Sequence, residues 1–194
     1  MNIKSCTVDI EGKKRRLLTI LKERSYREGE FTLTSGKKSR YYIDCKVTTL
    51  WPEGAWLAGC LLFHALITRG EPVDAVGGMT LGADPLVTSV SVIGFLHGAL
   101  LPSLIVRKEP KGHGTGAWIE GLENVKPGAR VALLEDVVTT GGTLIQAARR
   151  IEEAGLQVAR VICLVDRQEG GDEELTANGL RLESIITRKE LSES

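Results

Sequence analysis

The feature of this 194-residue chain that most constrains its fold is the alternation of short apolar runs with amphipathic segments. Short apolar runs bounded by glycine or polar residues are typical of strands, and apolar residues spaced three or four apart are typical of helices. The pattern predicts strands over 31–33, 41–45, 75–77, 104–107, 131–134, 158–165 and 180–186, and helices over 13–24, 52–69, 84–97 and 143–153. This alternation predicts an α/β fold with a mainly parallel central sheet and helices on both faces. Ligands of such sheets bind at the carboxyl ends of the strands.

The charge balance excludes several classes of function. The chain has 25 basic and 25 acidic side chains, which give a formal net charge of zero. Nucleic-acid-binding and membrane-surface proteins normally carry a basic excess, so we expect neither partner. The longest apolar stretch, 55–67, is too short to span a membrane, and 1–16 lacks the apolar run of a secretory signal. The expected compartment is the cytoplasm.

Length and cysteine content indicate one domain in a reducing compartment. The chain is long enough for one well-buried domain and marginal for two, so we expect a single domain over 1–194. Its cysteines, Cys6, Cys45, Cys60 and Cys163, are scattered and include no Cys-x-x-Cys pair. This spacing predicts neither a zinc site nor a disulfide framework.

The most informative segment is 131–143, which reads Val-Ala-Leu-Leu-Glu-Asp-Val-Val-Thr-Thr-Gly-Gly-Thr. Its apolar residues predict a buried strand whose end presents Glu135 and Asp136. Buried carboxylates are costly unless a partner satisfies them, and ribose hydroxyls or a magnesium ion would do so. The turn at 139–143 precedes a helix, and its amides, hydroxyls and helix dipole favour a phosphate. Acids for a sugar beside a cradle for its phosphate indicate a ribose 5-phosphate site.

Other interpretations of this segment explain less. A strand-to-helix turn with capping threonines would account for 139–143 but not for the two acids before it. Neither G-x-x-x-x-G-K-[ST] nor a helix-opening G-x-G-x-x-G is present, so P-loop and dinucleotide sites are excluded.

The segment resembles the phosphoribosyl pyrophosphate motif of the type I phosphoribosyltransferases, in which an apolar strand, two acids and two further residues precede a Thr/Gly loop. The resemblance implies the fold of that superfamily. It also implies that phosphoribosyl pyrophosphate contacts Glu135, Asp136, Val137, Val138, Thr139, Thr140, Gly141, Gly142 and Thr143.

A second segment, 105–116, combines three glycines with Arg107, Lys108, Lys111 and His113. This composition suits a lid over a highly charged anion, and composition alone leaves a solvated surface loop as the alternative. The Arg-Lys-Glu-x-Lys-x-His-Gly pattern resembles the flexible catalytic loop of the orotate phosphoribosyltransferases. The resemblance implies that the four basic side chains contact the pyrophosphate, and that the loop reaches the neighbouring subunit of a homodimer.

The segment 31–44 resembles the N-terminal signature of the same family, with Phe-x-Leu-x-Ser-Gly followed by a serine, aromatic residues and an acid. Without the family it predicts only a hairpin. The resemblance implies a small N-terminal hood, formed mainly by about 1–46 with part of 166–194 as a further candidate, and places Tyr42 and Ile43 against the base. Some members carry a lysine where this chain has Thr34. Both Lys37 and Lys46 are candidates for the missing charge.

Two further segments match the family. Gly-Met-Thr-Leu-Gly-Ala-Asp-Pro at 78–85 resembles its pyrophosphate-binding loop, centred on Thr80, Leu81 and Gly82. Val-Asp-Arg-Gln-Glu-Gly-Gly at 165–171 matches the segment in which an arginine meets the orotate carboxylate. That role falls to Arg167, which alone would be interpreted as a surface residue or an ion-pair partner. Thr139 is a further expected orotate contact.

Together these resemblances imply transfer of ribose 5-phosphate from phosphoribosyl pyrophosphate to orotate, giving orotidine 5′-monophosphate and pyrophosphate in pyrimidine biosynthesis. The cofactor implied is Mg²⁺, held mainly by substrate near Asp136. The implied catalytic residues are Arg107, Lys108, Lys111, His113 and Asp136.

Two rival functions are less well matched. A purine or uracil phosphoribosyltransferase would share 131–143 but should lack the basic loop and the hood hairpin. A regulator that senses phosphoribosyl pyrophosphate would need a nucleic-acid-binding surface, and the roughly 30 residues before the hood are too few for a helix-turn-helix domain.

Overall fold

The computed structural model describes residues 6–32, 38–110 and 117–193. The strands in this part of the chain are β1 (Tyr26–Thr32), β2 (Lys38–Ile43), β3 (Ala75–Met79), β4 (Ser103–Val106), β5 (Ile119–Glu120), β6 (Arg130–Val138), β7 (Gln157–Asp166) and β8 (Leu182–Thr187). The helices are α1 (Ile10–Arg24), α2 (Lys46–Thr49), α3 (Pro52–Thr68), α4 (Asp84–Leu96), α5 (Gly142–Glu153), α6 (Gly171–Ala177) and α7 (Arg188–Glu193). A 3-10 helix spans Leu122–Asn124.

The central sheet has six strands in the order β5-β4-β3-β6-β7-β8. Pairing is parallel from β4 across to β8, and β5 runs antiparallel to β4 at one edge. From β3 the chain continues to β4 on one side, whereas from β6 it continues to β7 on the other. The strand order therefore reverses between β3 and β6, which is the position where open α/β sheets bind their ligands.

Helices cover both faces of this sheet. One apolar core joins α1, α3 and α4 to alternate sheet residues such as Val76, Ala132 and Leu134. The other core joins α5 and α6 to the intervening residues, such as Ala75 and Val131. Successive strand residues point to opposite faces, so continuous apolar strands are required for a sheet buried on both sides. The predicted α/β fold, with its mainly parallel sheet between helices, is confirmed.

The ends of the predicted helices follow from local chemistry. α3 begins at Pro52, whose fixed φ suits the first helical turn. α1 begins earlier than predicted because Asp9 caps it, accepting a hydrogen bond of 3.1 Å from the amide of Gly12. The sequence pattern did not predict β5 or the short helices α2, α6 and α7, because each is too brief to show a period.

The strands β1 and β2 form a separate antiparallel sheet. The predicted strand at 31–33 is the end of β1, and its Leu33 and the turn at Ser35–Gly36 lie outside the described residues. This sheet follows α1, and Lys14 of α1 forms an ion pair of 2.7 Å with Glu190 of α7. The first and last elements of the chain therefore meet.

A disulfide joins Cys6 to Cys60, with their Cα atoms 5.2 Å apart. The prediction from cysteine spacing was wrong for this pair. The two residues are 54 positions apart and meet only when the segment before α1 packs against α3, so spacing alone could not reveal them. Cys45 and Cys163 are free and buried.

None of the helices within the described ranges combines the length and the apolar character needed to cross a lipid bilayer.

We expect reduction of Cys6–Cys60 to destabilise the fold. A link that closes 54 residues is worth about 4 kcal/mol in the chain-entropy model of disulfides, and commonly somewhat less in practice. Thermal unfolding with and without reductant measures the effect, and a melting temperature lower by roughly 5–10 °C is expected on reduction. The Cys6→Ala/Cys60→Ala variant is the control and should not respond to reductant. Four titratable thiols in the unreduced, denatured protein would contradict the link.

Candidate active site

A cavity of about 280 Å³ opens at the carboxyl edge of the sheet, between the loops that follow β3 and β6. This is where the strand order reverses. The residues that line it come from the end of β3 and the loop after it, from β6, from the start of α5, and from the chain after β2 and β4: Lys46, Met79, Thr80, Leu81, Gly82, Lys108, Glu135, Asp136, Val137 and Thr143. Most were predicted from the sequence as site residues, and the fold brings them together.

The loop after β3 is shaped to approach β6 closely. A Cβ atom at Gly82 would lie 2.4 Å from Oδ1 of Asp136, so a side chain at this position would displace the Asp136 carboxylate. The Thr80 hydroxyl donates to Asp84 at 2.8 Å, and the Thr80–Leu81 peptide bond is cis. Leu81 is exposed at the mouth of the cavity.

Glu135 and Asp136 lie within β6 rather than after it, which corrects the predicted strand end. β6 continues to Val138 because its pairing with β7 extends that far. Glu135 is 6% exposed, and its Oε1 accepts a hydrogen bond of 3.2 Å from the amide of Asp136. Its Oε2 is buried and has no hydrogen-bond partner in the described structure. Asp136 accepts from the amide of Val137 at 2.9 Å. The pair therefore offers acceptor oxygens that the fold leaves unused.

Burial raises the pKa of Glu135 well above the ordinary carboxyl value of 4.5, and the negative charge of Asp136 raises it further. The charge of Lys108 acts in the opposite direction but is a smaller effect. A raised pKa means that the folded protein favours the neutral carboxyl group when no ligand is bound. Hydroxyl donors or a cation at this position would favour the carboxylate.

The predicted phosphate cradle lies at the start of α5. Gly141 precedes the helix with φ of 80°, a conformation that favours glycine, and no side chain from the described part of the chain caps the helix. The first amides of α5 are therefore available to an anion. Thr143 lines the cavity, and Thr139, Thr140 and Gly142 belong to the same turn. The Val138 side chain packs in the core, so only its backbone can contact a ligand.

Basic groups enter the cavity from two sides. Lys108 follows β4, and Lys46 follows β2. Lys46 pairs with Asp44 at 2.7 Å, and this hydrogen bond raises the pKa of Lys46, with a further contribution from the charge of Asp136. Arg107 instead bonds Glu120 at 3.0 Å.

The predicted loop residues Lys111 and His113 lie outside the described residues. Of the two candidates for the charge missing at Thr34, Lys46 lines the cavity, whereas Lys37 and Thr34 itself are not described.

Arg167 lies beside this cavity, at the end of β7. Its amide donates to the carbonyl of Val138 at 2.9 Å, and the residue is 6% exposed. Its guanidinium donates to Glu169 at 2.8 and 3.2 Å and lies 4.8 Å from the ring centre of Tyr41. The Tyr41 hydroxyl also donates to Glu169. Arg167 therefore joins the central sheet to the β1–β2 sheet, and the Glu169 carboxylate already accepts from its Nε and Nη2.

The strand β2 orients its aromatic residues differently from the prediction. Neighbouring strand residues point to opposite faces, so Tyr42 and Ile43 cannot both turn their side chains to one face of a base. Ile43 is buried in the core, whereas Tyr42 is exposed and packs against Phe31. Tyr41 is the aromatic residue that contacts Arg167.

Sequence reasoning missed Tyr41, Glu169 and Asp84 as members of the site. Tyr41 and Glu169 lie 128 positions apart, so no local pattern could pair them. Asp84 is partly buried, and its buried Oδ1 has no partner among the described residues. An acid directly before a proline at a helix start was the available signal, and helix capping explains that pattern equally well.

No cluster of three or more His, Cys, Asp or Glu side chains in the described ranges could hold a metal ion. The carboxylates of Glu135 and Asp136 and the orphan Oε2 nevertheless fit a hard cation whose remaining ligands come from substrate.

A larger cavity, about 600 Å³, opens at the opposite edge of the sheet, at the amino ends of β7 and β8. Arg160 is the buried charge in it. Its guanidinium donates to Glu183 at 2.7 and 2.8 Å, and to the carbonyl groups of Ala65 and Leu66. Because these partners lie within the fold, Arg160 joins β7 to β8 and α3, and we assign no binding role to this cavity.

We expect Glu135→Gln to stabilise the ligand-free protein as the pH rises. The raised pKa keeps a proton on folded Glu135 that the unfolded chain loses near 4.5, so the free energy of unfolding falls with pH above that value. Glutamine removes this titration. In thermal unfolding without magnesium or substrate, the melting temperature of the variant should exceed that of wild type by an amount that grows from about pH 5 to about pH 8. Each kcal/mol of difference in stability corresponds to roughly 3 °C. The exposed Glu123→Gln is the control, and a gap independent of pH would contradict the burial argument.

Comparison with known proteins identifies the family. A model described as a phosphoribosyl transferase domain matches residues 89–185. The orotate phosphoribosyltransferase of Nostoc sp. is 46% identical over 187 residues, which cover 96% of this chain and 89% of the relative. That of Thermosynechococcus vestitus is 48% identical over 178 residues, 92% of each chain.

A solved structure agrees with these sequences. The crystal structure of Mycobacterium tuberculosis orotate phosphoribosyltransferase in complex with 5-phospho-alpha-D-ribosyl 1-diphosphate is 29% identical, with a TM-score of 0.74 over 93% of this chain and 99% of that one. Fold, cavity and relatives agree, and the chain belongs to the orotate phosphoribosyltransferase family of type I phosphoribosyltransferases.

Proposed function

We propose that this chain transfers ribose 5-phosphate from phosphoribosyl pyrophosphate to orotate, giving orotidine 5′-monophosphate and pyrophosphate in pyrimidine biosynthesis. The observation that carries the proposal is the cavity between β3 and β6. It combines two carboxylates, a lysine from each side and the start of α5, with buried Arg167 directly after the neighbouring strand β7. These groups match a sugar, a pyrophosphate, a 5′-phosphate and an anionic base in turn.

The 5′-phosphate is proposed to bind at the start of α5. The turn at 139–143 supplies amides and hydroxyls, and the helix dipole adds positive potential. The ribose then lies over β6, where Glu135 and Asp136 accept hydrogen bonds from its hydroxyl groups. The orphan Oε2 of Glu135 supports this assignment, because a buried acceptor without a partner is unfavourable until a donor arrives.

The pyrophosphate is proposed to lie against Thr80–Gly82 and the basic segment. Lys108 already lines the cavity, and Arg107, Lys111 and His113 complete the proposed set of cations. Magnesium, when bound, supplies further positive charge to the pyrophosphate. Asp136 and Glu135 are the residues that would hold it together with substrate oxygens.

The base is proposed to lie between the end of β7 and the hood, which comprises about 1–46 with part of 166–194. Arg167 recognises the orotate carboxylate, sharing or exchanging the donors that now bind Glu169. Tyr41, Tyr42 and Thr139 are proposed to border the ring, and Lys46 to supply the charge missing at Thr34. Ile43 supports the hood from the core.

Catalysis of this transfer depends mainly on electrostatic stabilisation of the transition state. The bond from the anomeric carbon to the pyrophosphate oxygen breaks as the ring nitrogen of orotate attacks the opposite face, which inverts the configuration. Positive charge develops on the ribose and negative charge on the leaving group, so carboxylates beneath the sugar and cations at the pyrophosphate favour the transition state. The attacking ring nitrogen gives up its proton as the bond forms, and the departing pyrophosphate, which gains negative charge, can accept it, so the step needs no strong base from the protein.

We also propose a homodimer. Val92, Phe95, Leu96 and Leu100, at the end of α4 and just after it, are exposed, and Phe95 and Leu100 are 68% and 79% exposed. Exposed apolar side chains in one stretch of a soluble enzyme commonly mark an interface.

The proposed compartment is the cytoplasm. The buried free thiols of Cys45 and Cys163 agree with it. The Cys6–Cys60 disulfide is an exception to the reduced thiols usual in that compartment, and its burial slows attack by thiol reductants.

The direct test mixes the purified chain with orotate, phosphoribosyl pyrophosphate and magnesium, and follows the loss of orotate absorbance. We expect a magnesium-dependent decrease that adenine, hypoxanthine and uracil do not reproduce as substrates. Activity with one of those bases instead of orotate would contradict the proposal. Binding of phosphoribosyl pyrophosphate without any transfer would point to a sensor.

Arg167→Met is expected to weaken the binding of orotate selectively. Loss of a charge-assisted hydrogen bond to a carboxylate should raise the KM for orotate on the order of ten-fold or more. The KM for phosphoribosyl pyrophosphate should stay close to wild type. Exposed Arg181→Met, at the amino end of β8 on the opposite edge of the sheet, is the matched control. Equal changes in both KM values would remove Arg167 from base recognition.

A further inference from the structure

One guanidinium near the carboxyl edge has no part in the roles proposed above. Arg150 lies in the last turn of α5, far along the helix from the phosphate cradle, and is half-buried. A long charged side chain normally extends into water from such a position, as its exposed neighbour Arg149 does. Arg150 turns inward instead, toward the ends of β3 and β4.

Its contacts reach three separate parts of the chain. Nη1 donates to the carbonyl of Arg107, and Nη2 donates to the carbonyl of Lys108 at 3.3 Å. The guanidinium carbon lies 3.7 Å from the ring centre of Trp118, a cation–π contact. Nη1 also lies 4.0 Å from the sulfur of Met79, the last residue of β3. The planar fork of arginine suits this pattern, because it offers several donors and a flat face together.

These contacts converge on the basic segment from both sides. Arg107 and Lys108 follow β4, and Trp118 directly precedes β5. The amide of Arg107 donates to the carbonyl of Trp118 at 2.8 Å, so the two stretches lie side by side. Arg150 holds both at once. Its bond to the Lys108 carbonyl fixes the backbone from which the Lys108 ammonium enters the cavity beside Glu135.

We propose that Arg150 is a positioning residue for phosphoribosyl transfer, which holds Lys108 at the pyrophosphate by fixing the backbone of Arg107 and Lys108 against Trp118. This inference rests on the proposed function. It extends the role of α5, whose first turn forms the phosphate cradle and whose last turn fixes the lysine of the pyrophosphate site. The distance between those two groups is thereby set by one rigid helix.

The test compares variants on the same helix. Arg150→Met keeps the length of the side chain and removes the donors, and Arg149→Met makes the same change at the exposed neighbour. We expect Arg150→Met to lower kcat on the order of ten-fold or more, because small displacements of a catalytic group are costly. The KM for orotate should change by less than about two-fold, since the base site is untouched. Arg149→Met should match wild type.

Two further variants separate positioning from stability. Ile151→Val removes a buried methyl group from the same turn of α5 and leaves the contacts of the Arg150 guanidinium unchanged. It should therefore lower the melting temperature and leave kcat unchanged. Trp118→Leu should lower kcat as Arg150→Met does. Trp118→Phe keeps an aromatic ring and should lower kcat less. The double variant Arg150→Met/Trp118→Leu should have a kcat little lower than that of either single variant, because the two residues act as a unit. Arg150→Lys keeps the charge without the fork and should be impaired too.

A spectroscopic readout does not depend on turnover. In a Trp51→Phe/Trp56→Phe background, Trp118 is the remaining tryptophan of the chain. Its emission should shift on Arg150→Met and not on Arg149→Met. If the wild-type enzyme is inactive but Arg150→Met still shifts the Trp118 emission, the proposed function is overturned while the contact between Arg150 and Trp118 stands. Wild-type kcat in Arg150→Met, or a loss of kcat that Ile151→Val reproduces at equal stability, would overturn the positioning role.

Discussion

Parallel pairing from β4 through β3, β6 and β7 to β8 places the carboxyl ends of five strands at one edge of the sheet. The groups proposed to act on the sugar, the 5′-phosphate and the pyrophosphate come from that edge or from a loop that leaves it, whereas β2 and the residues after it add Tyr41, Tyr42 and Lys46 from the hood. The reversal of strand order between β3 and β6 separates the two loops and leaves a crevice between them. The rest of the fold supports this arrangement, since both helical layers bury the apolar faces that hold the strands in register.

The crevice carries charge that the folded chain alone does not satisfy. Glu135 is buried with one oxygen unpartnered, and its raised pKa reflects burial first and the neighbouring Asp136 second. Such a group costs stability in the free protein and becomes favourable when a ligand supplies donors or positive charge. Arg167 differs, because its guanidinium is already paired with Glu169, and a substrate carboxylate would have to share or exchange those donors. Of the two, only Glu135 therefore trades folding stability for binding.

The sequence predicted those parts of the fold and site that depend on local pattern. The strand at 131–134 and the Thr/Gly turn after the acids are each encoded within a few residues. The alternation of such local elements along the chain implies the parallel sheet. Contacts between distant positions left no local trace. Arg150 meets Arg107 across 43 positions, and Tyr41 meets Glu169 across 128. The face that Tyr42 presents depended on strand register, which the hairpin pattern alone did not fix.

The central claim is that one crevice holds the phosphate, the sugar and the base in a single line from α5 across β6 to the end of β7. A crystal structure of the chain with orotidine 5′-monophosphate tests it most directly. We predict the phosphate at 139–143, the ribose hydroxyls at Glu135 and Asp136, and the base carboxylate at Arg167. A nucleotide bound in the same crevice with its base carboxylate away from Arg167, or bound at the opposite edge of the sheet, would contradict the account.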